Sequence, residues 1–149
     1  SRMIYVLYGQ PGSGKTTLSQ LLCTHIHRQP EGNEAVIIDG DKFRKLFKQT
    51  DYSTKGRENN ITAANTVATY ISQIHTVDVI LALVNPYEHL RAELRTNNPL
   101  VTEILLESNR DLRRDYHVEE FEIGDPDHVI NTDSSVDDTW TTLRSALGI

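Results

Sequence analysis

The chain has 149 residues, 38% hydrophobic and 24% charged, with a net charge of −6 and one cysteine, Cys23. That length suits one domain with its own core, and we expect a single domain over residues 1–149. The acidic balance argues against a broad nucleic-acid footprint, the lone cysteine excludes an internal disulfide, and no apolar run is long enough for a membrane span.

The N-terminus shows no charged, then apolar, then small-residue leader. With Cys23 read as a packing residue of a helix, the expectation is a reducing, cytoplasmic setting. The six histidines are scattered without metal-ligand spacing, which argues against a zinc site.

Residues 3–8 form a short β-prone apolar run, read as a buried strand. Gly9-Gln10-Pro11-Gly12-Ser13-Gly14-Lys15-Thr16 follows and matches the phosphate-binding pattern G-x-x-x-x-G-K-[ST]. Leu18, Leu21, Leu22 and Ile26 then recur at helical spacing. In this strand–loop–helix order, glycine backbone N–H groups and the helix N-terminus face phosphate oxygens. Lys15 would reach the β- and γ-phosphates of ATP, and the Thr16 hydroxyl would ligate Mg²⁺, with Thr17 beside it.

Residues 35–38 read as a second strand, ending at Asp39-Gly40-Asp41. In an open α/β sheet, ligands bind at the carboxyl ends of the strands, so both carboxylates should face the loop. Asp39 is a metal candidate, held directly or through water, while Asp-Gly is also a plain turn signal. A helix is expected over 42–48, with Phe43, Leu46 and Phe47 on its apolar side. Arg44 reads either as a solvated arginine or as an anion clamp. Ser53 or Thr54 can cap the next helix, expected over 58–75, with Arg57 and Asn60 at its mouth. Those two can bind an anion or a nucleotide edge, and Asn60 can equally be a cap.

Residues 77–84 give a third, nearly all-apolar strand, ending at Asn85-Pro86-Tyr87. Pro86 suits the first turn of a helix that carries Leu90 and Leu94 inward, with Arg91 and Arg95 on another stripe. A fourth strand is expected over 101–106. Residues 109–127 are the least apolar stretch and hold Arg110, Arg113 and Arg114, then Glu119, Glu120 and Glu122. This stretch reads either as a lid carrying arginines to the nucleotide or as a solvated charged helix. A fifth strand, 128–131, and a last helix capped by Ser134 and ended by Gly148 complete the chain. Alternating strands and helices give a three-layer α/β fold of the P-loop nucleotide-kinase type, with a five-stranded parallel sheet.

The chain has no Asn-Lys-x-Asp for reading guanine, which argues against a switch GTPase. Its compact size, Asp-x-Asp and late arginines favour a small-molecule kinase working by in-line γ-phosphoryl transfer. The motifs resemble those of the adenylylsulfate (APS) kinase family over about residues 3–95. Besides the loop, Asp39-Gly40-Asp41-Lys42-Phe43-Arg44 fits Asp-Gly-Asp-x-x-Arg. Asp51-Tyr52-Ser53 resembles Gly-Phe-Ser, Arg57-Glu58-Asn59-Asn60-Ile61 fits Arg-x-x-Asn-Ile, and Asn85-Pro86-Tyr87 resembles Ser-Pro-Tyr.

The resemblance implies ATP as donor, Mg²⁺, and the 3′-hydroxyl of adenosine 5′-phosphosulfate as acceptor. Lys15 and Asp41 would be catalytic, with Asp41 orienting or deprotonating the hydroxyl. Arg44, Arg57, Asn60 and Asn85 would line the acceptor side, Tyr52 would stack on adenine, and Arg110 and Arg114 would serve ATP. A homodimer is compatible with this reading. The chain departs from the family pattern at Thr62, at Asn85 and in 116–121, where the lid lysines are absent. Two further readings stay open: a kinase for another hydroxyl (a nucleoside, nucleotide, modified base or polynucleotide end), and a non-catalytic nucleotide-binding regulator.

Overall fold

A computed structural model of the chain describes residues 2–31, 33–110 and 116–149. Five strands form one parallel sheet: β1 (Ile4–Tyr8), β2 (Glu34–Asp39), β3 (Val77–Ala82), β4 (Val101–Glu107) and β5 (His128–Asn131). Their spatial order is β2-β3-β1-β4-β5. Ile4 pairs with Val79 on one side and Val101 on the other, so β1 is central.

Period-two alternation along β1 divides the core. Ile4, Val6 and Tyr8 face a cluster completed by Ile61, Ala64 and Ala68 of α3 (Thr54–Ile74) and Leu90 and Leu94 of α4 (Glu88–Asn97). Leu7 faces the opposite cluster, with Leu18, Leu22 and Ile26 of α1 (Lys15–His27) and Leu143 of α5 (Val136–Leu147). Helices thus cover both faces, which is why the inner strands are mostly apolar, with Asp78 of β3 and Glu103 of β4 as buried exceptions. No helix among the described residues is long and apolar enough to cross a membrane.

Three helix starts differ from the sequence expectation through a capping side chain. The short helix α2 (Gly40–Leu46) starts two residues early because Asp39 Oδ1 accepts the Asp41 and Lys42 N–H groups, at 3.1 Å each. α3 starts at Thr54 because the Ser53 hydroxyl accepts from Gly56 N. Arg57 therefore lies in the first turn of that helix rather than ahead of it, and Asn60 lies in its second turn. α5 is capped by Ser135, not Ser134. β3 stops at Ala82, and Tyr87 rather than a residue before Pro86 is the N-cap of α4.

The order puts a crossover on each side of β1. The chain leaves β1 into the Gly-rich loop, leaves β2 at Asp39, and leaves β3 toward Asn85. These three exits open one crevice at the carboxyl edge of the sheet.

Candidate active site

The loop after β1 is shaped by its glycines. A Cβ on Gly9 would lie 2.5 Å from the Leu106 carbonyl oxygen, and Gly14 has φ +95°, a left-handed conformation that only glycine adopts freely. Gly14 is also the N-cap of α1 and supplies no side-chain cap. The first N–H groups of α1 are therefore turned toward the crevice without a side-chain acceptor, which is the arrangement that attracts an anion. Lys15 Nζ lies back on the loop, donating to the carbonyls of Gly9 (3.0 Å) and Gln10 (2.9 Å) and to the Ser13 hydroxyl (3.3 Å).

Across the crevice, Asp39 spends both carboxylate oxygens. Oδ1 caps α2, and Oδ2 accepts the Thr16 hydroxyl at 3.0 Å. Asp41, one residue into α2, is exposed and faces the same cleft. That cleft has a volume of about 800 Å³ and is lined by Lys15, Thr16, Thr17, Asp39, Asp41, Arg44, Tyr52, Arg57, Asn60 and Asn85, among others. The loop residues Pro11, Gly12 and Gly14 share it. Arg44 stacks on the Tyr52 ring, its guanidinium carbon 4.4 Å from the centroid, and donates to the Asp51 carbonyl at 3.3 Å. Asn85 is 1% exposed, has φ +52°, and both polar atoms of its carboxamide are buried without a partner among the described residues. A buried carboxamide in that state awaits a ligand or water.

Below Asn85 lies a buried ion network that the sequence reading missed. Arg91, placed there on a stripe away from Leu90 and Leu94, is wholly buried. Its guanidinium donates to the Asn85 carbonyl at 2.5 Å, to Glu103 at 3.2 Å, to Glu88 at 2.9 Å and to the Glu122 carbonyl. It also lies 4.3 Å from the Tyr8 ring centroid. Arg95 closes the network with Glu103 and with Glu88 at 2.8 Å. Burial pushes the Glu103 carboxyl up, although the two guanidiniums pull it back, and pushes the Tyr8 hydroxyl up to about 12. Tyr8 is thus a fixed donor, to the Ile123 carbonyl at 2.7 Å. The signal for this network was Glu103 itself: a carboxylate inside an apolar strand needs a buried cation.

Of the charged stretch read either as a lid or as a solvated charged helix, Arg113, Arg114 and Asp115 lie outside the described residues. Arg110 is turned away from the large cleft. It bonds to the Ser108 hydroxyl, to the Thr132 carbonyl and to Asp133, and lines a neighbouring cavity of about 340 Å³ with Gly9, Gln10 and Ser13. Residues 116–123 return along the carboxyl edge of the sheet. Phe121 stacks on Tyr8 with centroids 6.1 Å apart, and Tyr116, His117 and Val118, noted in the sequence only as a departure from the family's lid, line the large cleft. The Gln10 carboxamide clasps this return, donating to Val118 O at 2.9 Å and accepting from Val118 N at 2.8 Å. Gln10→Ala should therefore speed amide exchange at Val118 and cost about 1–2 kcal/mol of stability, read by hydrogen–deuterium exchange and denaturant titration. Unchanged exchange at Val118 would show that Gln10 is not what holds the return.

A family model for adenylylsulphate kinase matches residues 1–115. The chain belongs to the adenylylsulphate kinase family. It is 32% identical over 113 residues to the adenylyl-sulfate kinase of Chloroflexus aurantiacus, covering 75% of this chain and 59% of that protein. It is 29% identical over 101 residues to the adenylyl-sulfate kinase of Deinococcus deserti, covering 67% and 54%. The chain thus spans little more than half the length of these curated relatives. Among solved structures, it superposes on the Mycobacterium tuberculosis APS kinase in complex with AMPPNP and APS with a TM-score of 0.78. That match is at 20% identity and covers 100% of this chain and 98% of the other. It carries the fold. The adenylylsulphate kinase match ends at residue 115, so Tyr116, His117 and Val118 enter the cleft from beyond it.

Proposed function

We propose that the protein transfers the γ-phosphoryl group of ATP to the 3′-hydroxyl of adenosine 5′-phosphosulfate. Membership of the adenylylsulphate kinase family supports this reading. The observation that carries it is the sharing of one cleft by two kinds of group: Lys15 and the α1 N-terminus on the donor side, and Asp41, Arg44, Arg57 and Asn60 on the acceptor side. The loop amides and Lys15 would hold the triphosphate. Arg44 and Arg57 are fixed cations for the phosphosulfate, and the Tyr52 ring offers a face for the base. Asp41 would accept the proton of the attacking hydroxyl. Asn60 and the unpartnered Asn85 carboxamide would orient the acceptor. Arg110 and Arg114 remain candidates for the nucleotide side.

Thr16 and Asp39 fit Mg²⁺. Both present hard oxygens, and their 3.0 Å separation is close to the roughly 2.9 Å between neighbouring ligands on an octahedral ion of that size. Among the described residues, no group of three or more His, Cys, Asp or Glu side chains forms a metal site, so the remaining ligands would be phosphate oxygens and water. When bound, Mg²⁺ would neutralise charge on the transferring phosphates.

The test is incubation with Mg-ATP and a panel of adenosine phosphosulfate, adenosine, mononucleotides and 5′-hydroxyl DNA, following ADP release and product mass. We expect one new phosphate on adenosine phosphosulfate. Phosphorylation of another acceptor alone would overturn the substrate assignment, and ATP binding without any turnover would overturn the enzyme reading. Lys15→Ala should reduce turnover at least about 10³-fold, because it removes the one side-chain cation of the donor loop.

A further inference from the structure

The acidic total hides a local reversal of charge at the acceptor mouth. Between residues 42 and 57 lie Lys42, Lys45, Lys48 and Lys55, together with Arg44 and Arg57, against the single acid Asp51. All four lysines are exposed, and none makes an ion pair among the described residues. Asp51 is engaged locally: its carboxylate accepts the Ser53 N–H at 2.9 Å, and that bonding holds its carboxyl below the usual range. Glu58, just beyond, faces His89 at 3.4 Å. Asp51 stays ionised, and with six cations against that one acid the stretch keeps a net positive charge.

Two aromatic rings stand in the same stretch with one face covered and the rest in water. Phe47 rests on Phe43, centroids 4.6 Å apart, yet is 61% exposed. Tyr52 carries the Arg44 guanidinium and is 62% exposed. Leu46 beside them is 76% exposed. Large apolar side chains left in water among free cations need a partner that is both anionic and stackable. The patch is also continuous with the 800 Å³ cleft, since Arg44 and Tyr52 line it.

We propose that this face binds single-stranded nucleic acid, the lysines tracking phosphates while unpaired bases stack on Phe47 and Tyr52. Charge alone would admit an acidic peptide or an anionic lipid surface. The exposed ring faces beside a nucleotide-sized cleft single out unstacked bases. The footprint is α2, the connection after it and the first turn of α3, which is compatible with the net charge of −6 of the whole chain. The proposal goes beyond phosphorylation of a free nucleotide and does not depend on it.

The test is fluorescence anisotropy with a labelled single-stranded oligodeoxynucleotide of about 20 residues, long enough to cover one such groove. Dissociation constants on the order of 10⁻⁶–10⁻⁴ M are expected near physiological salt. Affinity should fall with salt at a log–log slope of about −2 to −3, as for three or four neutralised phosphates on a single strand. The triple variant Lys42→Glu/Lys45→Glu/Lys48→Glu should bind at least tenfold more weakly. Phe47→Ser should weaken single strands several-fold, and a duplex of the same sequence should bind more weakly than the single strand. All these positions are exposed, and circular dichroism together with ATP affinity checks that the fold is kept. The proposal is overturned by no binding up to about 1 mM, by a triple variant that binds like the parent, or by insensitivity to Phe47→Ser. Tighter binding to polyglutamate or to phosphatidylserine vesicles than to the single strand would also overturn it.

Discussion

Asp41→Asn should lower turnover about 10³-fold while leaving the dissociation constant for ATP within about threefold of the parent. The argument rests on what Asp41 does not touch. Its backbone N–H is held by Asp39, so the first turn of α2 stays in place when the side-chain charge is removed. Thr16 is bonded to Asp39, not to Asp41, so the metal candidates keep their spacing. Asn keeps the volume and loses only the capacity to take up a proton. Single-turnover kinetics and calorimetric ATP titration make the comparison. A loss of ATP affinity beyond tenfold would place Asp41 among the metal ligands instead, and unchanged turnover would remove it from the chemistry.

Arg91→Leu should destabilise the protein by about 3–5 kcal/mol, as breaking a buried pair generally does when one charge is left behind. The substitution approximates the volume and takes the donor from four acceptors at once: the carbonyls of Asn85 and Glu122 and a carboxylate oxygen each of Glu103 and Glu88. Glu103 retains Arg95, which sets the upper limit of the effect. Urea titration should show a lower midpoint at an unchanged slope, the signature of a stability change without a change in denatured-state compactness. A midpoint shift worth less than about 1 kcal/mol would mean that water satisfies the stranded groups. Arg91→Lys should recover only part of the loss, because an ammonium cannot reproduce the planar fork.

Fold and site were legible in the sequence to different depths. The parallel sheet followed from strand–loop–helix order and the apolar middle of residues 77–84, signals that tertiary packing reinforces. The large cleft gathers Lys15, Thr16, Asp39, Asp41, Arg44, Tyr52, Arg57, Asn60 and Asn85, all drawn from motif positions. Helix starts were misjudged where a capping side chain outweighed hydrophobic periodicity, at Asp39 and Ser53. Arg91 was misjudged for a different reason. Helical periodicity sorts residues by hydrophobicity, so a buried arginine one position from Leu90 reads as surface. Its burial is dictated by Glu103, twelve residues away on another element. Likewise, Gln10 read only as a loop position, because its partner Val118 lies 108 residues along the chain. Arg110 faces the neighbouring cavity because Thr132 and Asp133 engage its guanidinium, a contact with no local trace.

The resting position of Lys15 bears on how the cycle would end. Its ammonium lies on the Gly9 and Gln10 carbonyls and the Ser13 hydroxyl, so the loop itself supplies acceptors for its own cation. A triphosphate must outbid those oxygens to recruit it. Once the terminal phosphate has gone, fewer phosphate charges remain to hold the ammonium, while the same carbonyls stand ready to take it back. Under the proposed activity, the loop would compete with the spent nucleotide for Lys15, tilting the exchange toward release of ADP over retention.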